Sequence, residues 1–161
     1  FPPLYDENSK VLILGSFPSV KSREQMFFYG HPQNRFWRVL AAVFASETPQ
    51  TIVEKRRFLL SHGIALWDVI ASCEITGSAD SSIKNVIAND LSPILAAADI
   101  RQIFVNGKTA EKFYRKYTEP VIGRAAICLP STSPANAAWS MERLIAAWQH
   151  VREAMRADSD I

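Results

Sequence analysis

Residues 10–19 read KVLILGSFPS, an apolar run that ends in a turn containing glycine and proline. A short apolar run bounded by turn residues is typical of a buried β-strand. Gly15 tolerates the close approach of other atoms to the backbone, and Pro18 stiffens the exit from the turn. The run is also far shorter than the roughly 20 apolar residues that span a bilayer. This stretch therefore predicts a strand followed by a tight turn into the next segment.

Three more apolar runs follow, and longer stretches with helical periodicity separate them. This alternation is typical of βαβ units on a mainly parallel sheet. The predicted strands are residues 10–14, 64–67, 102–105 and 125–129, and the predicted helices cover 36–44, the stretch after Pro49 through 60, 108 to about 117, and 141–155. The sequence therefore predicts an α/β fold, a three-layer α/β/α domain around a central, mainly parallel four-stranded sheet.

The length of 161 residues and the hydrophobic content of 48% fit one compact domain. Since no repeat, linker or low-complexity tract divides the chain, we expect a single domain over residues 1–161. Its core should cover about residues 10–156, and the tail beyond Arg156 should fray. Nothing resembles a signal peptide or a membrane span, so the expected location is the cytoplasm.

The net charge of +2 is well below the basic balance that would indicate nucleic-acid binding by itself. Six basic residues against two acidic ones lie between positions 101 and 124, and such a cluster fits either phosphate binding or a solvated helix face. Cys73 and Cys128 are spaced neither as zinc ligands nor as a disulfide framework, and the three histidines lie on separate predicted elements. We therefore expect buried free thiols, no metal and no cofactor.

Polar loops with glycine or proline follow each predicted strand. They begin at Gly15, Asp68, Asn106 and Pro130. Ligands of open parallel sheets bind outside the carboxyl ends of the strands, so these loops predict a binding site along one edge of the sheet. Many functions share this topology, so the site needs further evidence.

Five segments in order resemble the uracil-DNA glycosylase superfamily: GSFPS (15–19), HPQNRFW (31–37), ALWDVI with GSADSSI (65–83), NGKTA (106–110) and LPSTSPAN (129–136). GSFPS together with DSSI and STSPAN is most similar to family 6, the hypoxanthine-DNA glycosylases. HPQNRFW and the Gly107-Lys108 pair are also similar to the mismatch-specific uracil glycosylases. The iron–sulfur families use four cysteine ligands and are excluded, because only two cysteines are present.

The resemblance implies a reaction in which a nucleotide is flipped out of DNA and its glycosidic bond is hydrolysed. Gly15, Ser16 and Phe17 should line the base pocket. Related branches hold a water with an Asp or Asn at the position of Phe17, and Phe17 cannot. The resemblance therefore places catalysis on Asn34, whose carboxamide oxygen could orient a water. The alternative is that Asn34 caps the helix that follows.

Two more residues are implied in base recognition. Tyr29 matches an aromatic that stacks on the extruded base, with Phe28 as its competitor. Asp68 matches the residue that contacts the Watson–Crick edge of the base. A carboxylate accepts from the N1–H of hypoxanthine and repels the unprotonated N1 of adenine, although Asp68 could instead brace its turn. Uracil also presents an N–H, so Asp68 alone does not exclude it.

The remaining implied contacts are to DNA. Ser131 stands where related branches carry a catalytic His or Asn, which predicts weak activity on uracil. The wedge that fills the gap in the duplex should consist of Pro134, Ala135 and Asn136, and Ser133 is a further candidate DNA contact. Candidate phosphate contacts are Ser81, Ser82, Gly107 and Lys108.

No lysine matches a catalytic position, so we expect a monofunctional enzyme that stops at an abasic site. Damaged DNA is the expected partner, and the protein should act as a monomer without contact to a membrane. Two alternatives stay open. One is a uracil or mismatch-specific DNA glycosylase. The other is a non-catalytic nucleotide- or nucleic-acid-binding module, although this chain lacks the usual glycine-rich phosphate motifs.

Overall fold

The computed structural model describes residues 1–17, 27–74 and 83–156. Its elements in chain order are β1 (Val11–Gly15), α1 (Phe36–Val43), α2 (Ile52–Ser61), β2 (Ile64–Asp68), β3 (Ile70–Glu74), β4 (Lys84–Ala88), α3 (Ser92–Ala97), β5 (Gln102–Asn106), α4 (Lys108–Phe113), α5 (Glu119–Ile122), β6 (Ala126–Leu129) and α6 (Met141–Arg156). A π-helical turn, Tyr114–Thr118, joins α4 to α5.

Four parallel strands form the central sheet in the order β2-β1-β5-β6. All five residues of β1 are buried, as expected for a central strand with helices on both faces. Val11 and Ile13 face α1, α2 and α6, whereas Leu12 and Leu14 face α3 and α4. The predicted three-layer fold and its four strands are confirmed, with shifts of one residue at strand ends.

Two parts of the fold were not predicted from the sequence. Strands β3 and β4 form a separate antiparallel pair with register shifts, and α3 is a short helix that begins near Pro93. Most residues of β3 and β4 are exposed or half-buried, so the apolar runs that reveal the central strands are missing there. The helix that follows β5 also extends farther than predicted, to Ile122. This helix widens into the π-helical turn just before Pro120. Because Pro120 has no N–H, it cannot make the regular helical hydrogen bond to the preceding turn.

The two cysteines are free, as predicted, but half-buried rather than buried. No helix of the described residues is long and apolar enough to cross a membrane. The tail beyond residue 156 and the segments 18–26 and 75–82 lie outside the described residues.

Candidate active site

The carboxyl ends of the central strands lie together, as the sequence predicted. Parallel pairing places Gly15 of β1 opposite Asp68 of β2, and Asn106 of β5 opposite Leu129 of β6. The loop after each strand leaves from this edge of the sheet. The ends of these four strands are far apart in sequence, and this register brings them to one edge of the sheet.

A cavity of about 180 Å³ opens beside β2. It is smaller than the roughly 300–1,000 Å³ of pockets for drug-sized ligands, so it suits one small ring system. Its lining residues are Phe1, Phe17, Trp67, Asp68, Ile70, Ala71 and Asn89. Two of the predicted base-binding residues, Phe17 and Asp68, therefore line the cavity. Five of these seven residues are aromatic or aliphatic, and Asp68 and Asn89 contribute polar side chains.

Asp68 is the buried carboxyl group of this site. It is 6% exposed, and burial raises its pKa from 3.8 to about 7, against the opposing effect of the ammonium group of Phe1. No described residue donates a hydrogen bond to the carboxylate. Asn89 holds the Asp68 backbone instead, by donating from Nδ2 to the carbonyl oxygen at 2.8 Å. The carboxylate thus lines the cavity as an acceptor without a described protein donor.

Gly15 allows Asp68 and Tyr29 to meet. A Cβ at position 15 would lie 2.6 Å from Asp68 Oδ1 and 2.9 Å from the Tyr29 hydroxyl, closer than real Cβ contacts. The neighbouring residue Ser16 is half-buried, and its carbonyl accepts from the Ile70 N–H at 3.0 Å. Gly15 is therefore required by the site rather than by its own backbone conformation.

Tyr29, rather than Phe28, faces the site. Phe28 is buried in the core edge-on to Phe1, whereas Tyr29 is half-buried with a left-handed backbone (φ 52°) and its ring stacks on Phe36 at 4.0 Å. Burial of the hydroxyl raises the Tyr29 pKa well above its usual value, and the negative charge of Asp68 adds to this effect. Tyr29 therefore stays neutral and can act only as a hydrogen-bonding or stacking group.

Asn34 lies just before α1, and its side chain contacts both the start of this helix and the loop after β6. Its Oδ1 accepts from the Phe36 N–H at 3.0 Å, which satisfies a free donor at the helix start, and from the Thr132 hydroxyl at 2.9 Å. Both lone pairs of the oxygen are therefore used. The Nδ2 group donates to no other described residue, and Asn34 is only half-buried. The oxygen that the sequence predicted as the water holder is occupied, and the available group is a donor.

Thr132 and Asn106 complete this arrangement and were missed as site residues. Asn106 accepts from the Thr132 N–H at 3.1 Å and donates to the Thr132 hydroxyl at 3.0 Å. Thr132 is fully buried, in a loop where most neighbours are not. A threonine and an asparagine directly after apolar strands were the available signal, because buried polar side chains need partners.

Arg35 holds the loop after β6. Its guanidinium donates to the carbonyl oxygens of Ser133, Asn136 and Trp139. Additional turns are closed inside the loop: Ser131 Oγ accepts from the Ser133 N–H, Ser133 Oγ accepts from the Ala135 N–H, and Asn136 Nδ2 donates to the Ser131 carbonyl oxygen. Pro134 and Ala135 are exposed at the tip. Hydrogen bonds thus hold the loop that carries the predicted wedge, and the contribution of Arg35 was not predicted.

The predicted phosphate contacts lie beside this loop. Gly107 has φ 95°, and a Cβ there would lie 3.0 Å from Ser131 Cβ, so a glycine is needed on both counts. Lys108 is exposed at the start of α4. Ser81 and Ser82 lie outside the described residues. Across the described ranges, no group of three or more His, Cys, Asp or Glu residues could hold a metal ion.

The cavity beside β2 and the polar side chains of Asp68, Asn34 and Thr132 thus lie at the carboxyl edge of an open parallel sheet, where α/β folds of this kind bind ligands. Residues 2–152 match the sequence model of the Uracil DNA glycosylase superfamily. The chain therefore belongs to the uracil DNA glycosylase superfamily.

Relatives and a solved structure support the same family. The chain is 36% identical over 148 residues to a hypoxanthine DNA glycosylase of Methanosarcina acetivorans, covering 89% of this chain and 90% of that protein. It is 33% identical over 141 residues to a hypoxanthine DNA glycosylase of Methanosarcina barkeri, covering 84% and 86%. A solution NMR structure of a Methanosarcina acetivorans protein assigned to the uracil DNA glycosylases superposes with a TM-score of 0.79 at 32% identity, covering 94% and 96%.

The buried carboxyl group makes a prediction about stability. Its pKa is about 7 in the folded protein and near 3.8 when unfolded, so the unfolded chain ionises first as the pH rises. The free energy of unfolding therefore falls between those two pKa values and is level above about pH 7. We expect the free energy of unfolding of Asp68→Asn, relative to that of wild type, to rise by roughly 2–3 kcal/mol as the pH is raised from about 5 to about 8.

Urea denaturation of both proteins at the two pH values measures this difference. The exposed Asp99 lies before β5, at the amino edge of the sheet, so Asp99→Asn is the matched control and should show no such change. A difference between wild type and Asp68→Asn that is the same at both pH values would show that Asp68 ionises normally.

Proposed function

We propose that this protein is a monofunctional DNA glycosylase of base excision repair that flips out and hydrolytically removes hypoxanthine from deoxyinosine, leaving an abasic site. The observation that carries the proposal is the buried Asp68 carboxylate, which lies at a small cavity and has no described protein donor. A ligand that supplies an N–H to this acceptor is favoured, and the names of both curated relatives support hypoxanthine as that ligand.

Base selection follows from the pattern of donors and acceptors. The ionised carboxylate accepts from the N1–H of hypoxanthine, whereas the N1 of adenine carries a lone pair that the carboxylate repels. Phe17, Trp67 and Ile70 line the same cavity and offer apolar surface to the rest of the base. Tyr29 supplies an aromatic ring and a neutral hydroxyl at the Gly15 side.

Catalysis is assigned to Asn34 through its Nδ2 group. Because Oδ1 already accepts two hydrogen bonds, Asn34 does not take a proton from the water. Its Nδ2 group holds the attacking water by donating to the water oxygen. This weak assistance is sufficient if the sugar becomes largely oxocarbenium-like before the water bonds to it. No lysine lines the cavity within the described residues, which supports hydrolysis without a Schiff base or strand cleavage.

Contacts with DNA are assigned to the loops at the same edge. The exposed tip at Pro134 and Ala135 enters the duplex where the nucleotide has left, and Gly107 with Lys108 binds a phosphate. The protein acts as a monomer on the chromosomal DNA of the cytoplasm. Uracil is the second candidate base, because it also presents an N–H and the superposed solved structure is assigned to the uracil glycosylases.

The proposal is tested by incubating the protein with duplexes that contain one inosine, uracil or mismatched base, followed by alkaline cleavage. Cleavage only after alkali, and fastest in the inosine duplex, is the expected result. Preferential cleavage of the uracil duplex would favour the second candidate, and no cleavage of any duplex would contradict the proposed activity.

Two substitutions at Asn34 separate its donor from its acceptor. Asn34→Asp keeps an oxygen for the Phe36 N–H and the Thr132 hydroxyl but removes the Nδ2 donor, and Asn34→Ala removes both. We expect both variants to lower the single-turnover excision rate by roughly 10²–10³-fold with nearly unchanged DNA affinity, as for the loss of one catalytic donor. A near-wild-type rate in Asn34→Asp would show that the oxygen, not Nδ2, carries the role.

Asp68 should determine the choice of base. Asn at this position offers both a donor and an acceptor, so Asp68→Asn should lose more activity on inosine than on uracil. Because a mismatched buried polar contact costs about 1–3 kcal/mol, the ratio of the two single-turnover rates should change by roughly ten- to a hundredfold. Equal losses on both bases, with an intact fold, would assign Asp68 to site geometry instead of selectivity.

Lys108 should contribute one phosphate contact. Lys108→Ala is expected to weaken binding to all duplexes alike and to reduce the slope of log affinity against log salt by about one. Fluorescence anisotropy across a salt series measures this slope. The control is Arg57→Ala, an exposed position late in α2, near the amino edge of the sheet. If the slope changes as little in Lys108→Ala as in the control, Lys108 does not contact a phosphate.

A further inference from the structure

Thr132 connects three parts of the site although it does not line the cavity beside β2. Its N–H and hydroxyl pair with the Asn106 carboxamide, its hydroxyl also contacts Asn34 Oδ1, and its carbonyl accepts from the Arg35 N–H at 3.0 Å. The side chain is fully buried. All of its polar groups are therefore used, and they join the end of β5, the start of α1 and the loop after β6.

The directions of these hydrogen bonds follow from one fixed donor. The Thr132 N–H can only donate, so the Asn106 group that it meets is the oxygen, and Asn106 Nδ2 must face the Thr132 hydroxyl. The hydroxyl oxygen accepts from Nδ2, and its one proton is directed to Asn34. The order of donation is therefore Asn106 to Thr132 to Asn34.

The same logic fixes the Asn34 carboxamide. Its oxygen faces two donors, the Thr132 hydroxyl and the Phe36 N–H, and a flipped amide would direct an N–H toward both. The Nδ2 group must then point away from the loop and from α1, where no other described residue accepts from it. The Phe36 N–H alone would leave the amide with one contact around which it can rotate.

We propose that Thr132 is a positioning residue for excision: its hydroxyl, directed by Asn106, holds the Asn34 carboxamide with its Nδ2 toward the substrate. This inference rests on the proposed function, since it assumes that Asn34 acts on the substrate. It adds a requirement that the family resemblance did not supply, namely that a hydroxyl is needed at position 132.

Two substitutions of similar size test the hydroxyl. Thr132→Val keeps the shape but removes the donor and the acceptor, and Thr132→Ser keeps both. We expect Thr132→Val to lower the single-turnover rate on inosine DNA roughly ten- to a hundredfold with DNA affinity unchanged, and Thr132→Ser to stay within about threefold of wild type. If Thr132→Val does not fold, Thr132→Cys replaces it, because a thiol is a weak donor, and the rate should fall in the same direction.

A double variant distinguishes positioning from a general effect on structure. If Thr132 acts through Asn34, then Thr132→Val should cause no further loss in an Asn34→Ala background, whereas an independent structural defect would add its full effect. Additive losses, a Thr132→Ser rate as low as that of Thr132→Val, or a wild-type rate in Thr132→Val would each overturn the proposal. Wild-type enzyme is assayed in parallel on inosine and uracil duplexes. Failure of the wild type on inosine contradicts the proposed substrate, and the role of Thr132 is then measured on whichever base is removed.

Discussion

The site depends on the parallel pairing of β1 with β2, which places Gly15 directly opposite Asp68. A Cβ atom at position 15 would lie 2.6 Å from Oδ1 of the Asp68 carboxylate. With only a hydrogen atom at position 15, the carboxylate and the Tyr29 hydroxyl can both approach the same point. The buried acceptor therefore exists because a residue without a side chain stands next to it.

Burial of a carboxylate without a protein donor is unfavourable, and the raised pKa of Asp68 expresses this cost. The sheet around it has ordinary packing, with continuous apolar strands and helices on both faces. Natural proteins commonly concentrate such violations of local preference at functional sites. In this protein the unfavourable group lies at the cavity, whereas the polar groups of the buried Thr132 nearby are all hydrogen-bonded.

The central sheet could be predicted from sequence because its strands form short apolar runs, and β1, β2 and β5 are largely buried. Strands β3 and β4 could not, since their half-exposed residues and register shifts leave no clear alternation. Within the site, single residues such as Asp68 and Asn34 were found through family motifs. The role of Asn34 Oδ1 was not, because its two partners lie on α1 and on a loop 98 positions away. Arg35 was missed for the same reason: its three acceptors are backbone carbonyls, which leave no trace in residue type.

Under the proposed function, the substrate base donates a hydrogen bond to the Asp68 carboxylate, to which no described residue donates one. An N–H from the base stabilises the ionised carboxylate, so binding of hypoxanthine lowers the pKa of Asp68 toward its ordinary value, and ionisation in turn strengthens binding. Adenine cannot take part in this exchange with the ionised group, because its N1 has no proton. The neutral acid, by contrast, could donate to the adenine N1 and would lose the distinction. Selectivity for the deaminated base therefore requires the charged form of Asp68, the same form that burial disfavours in the empty cavity.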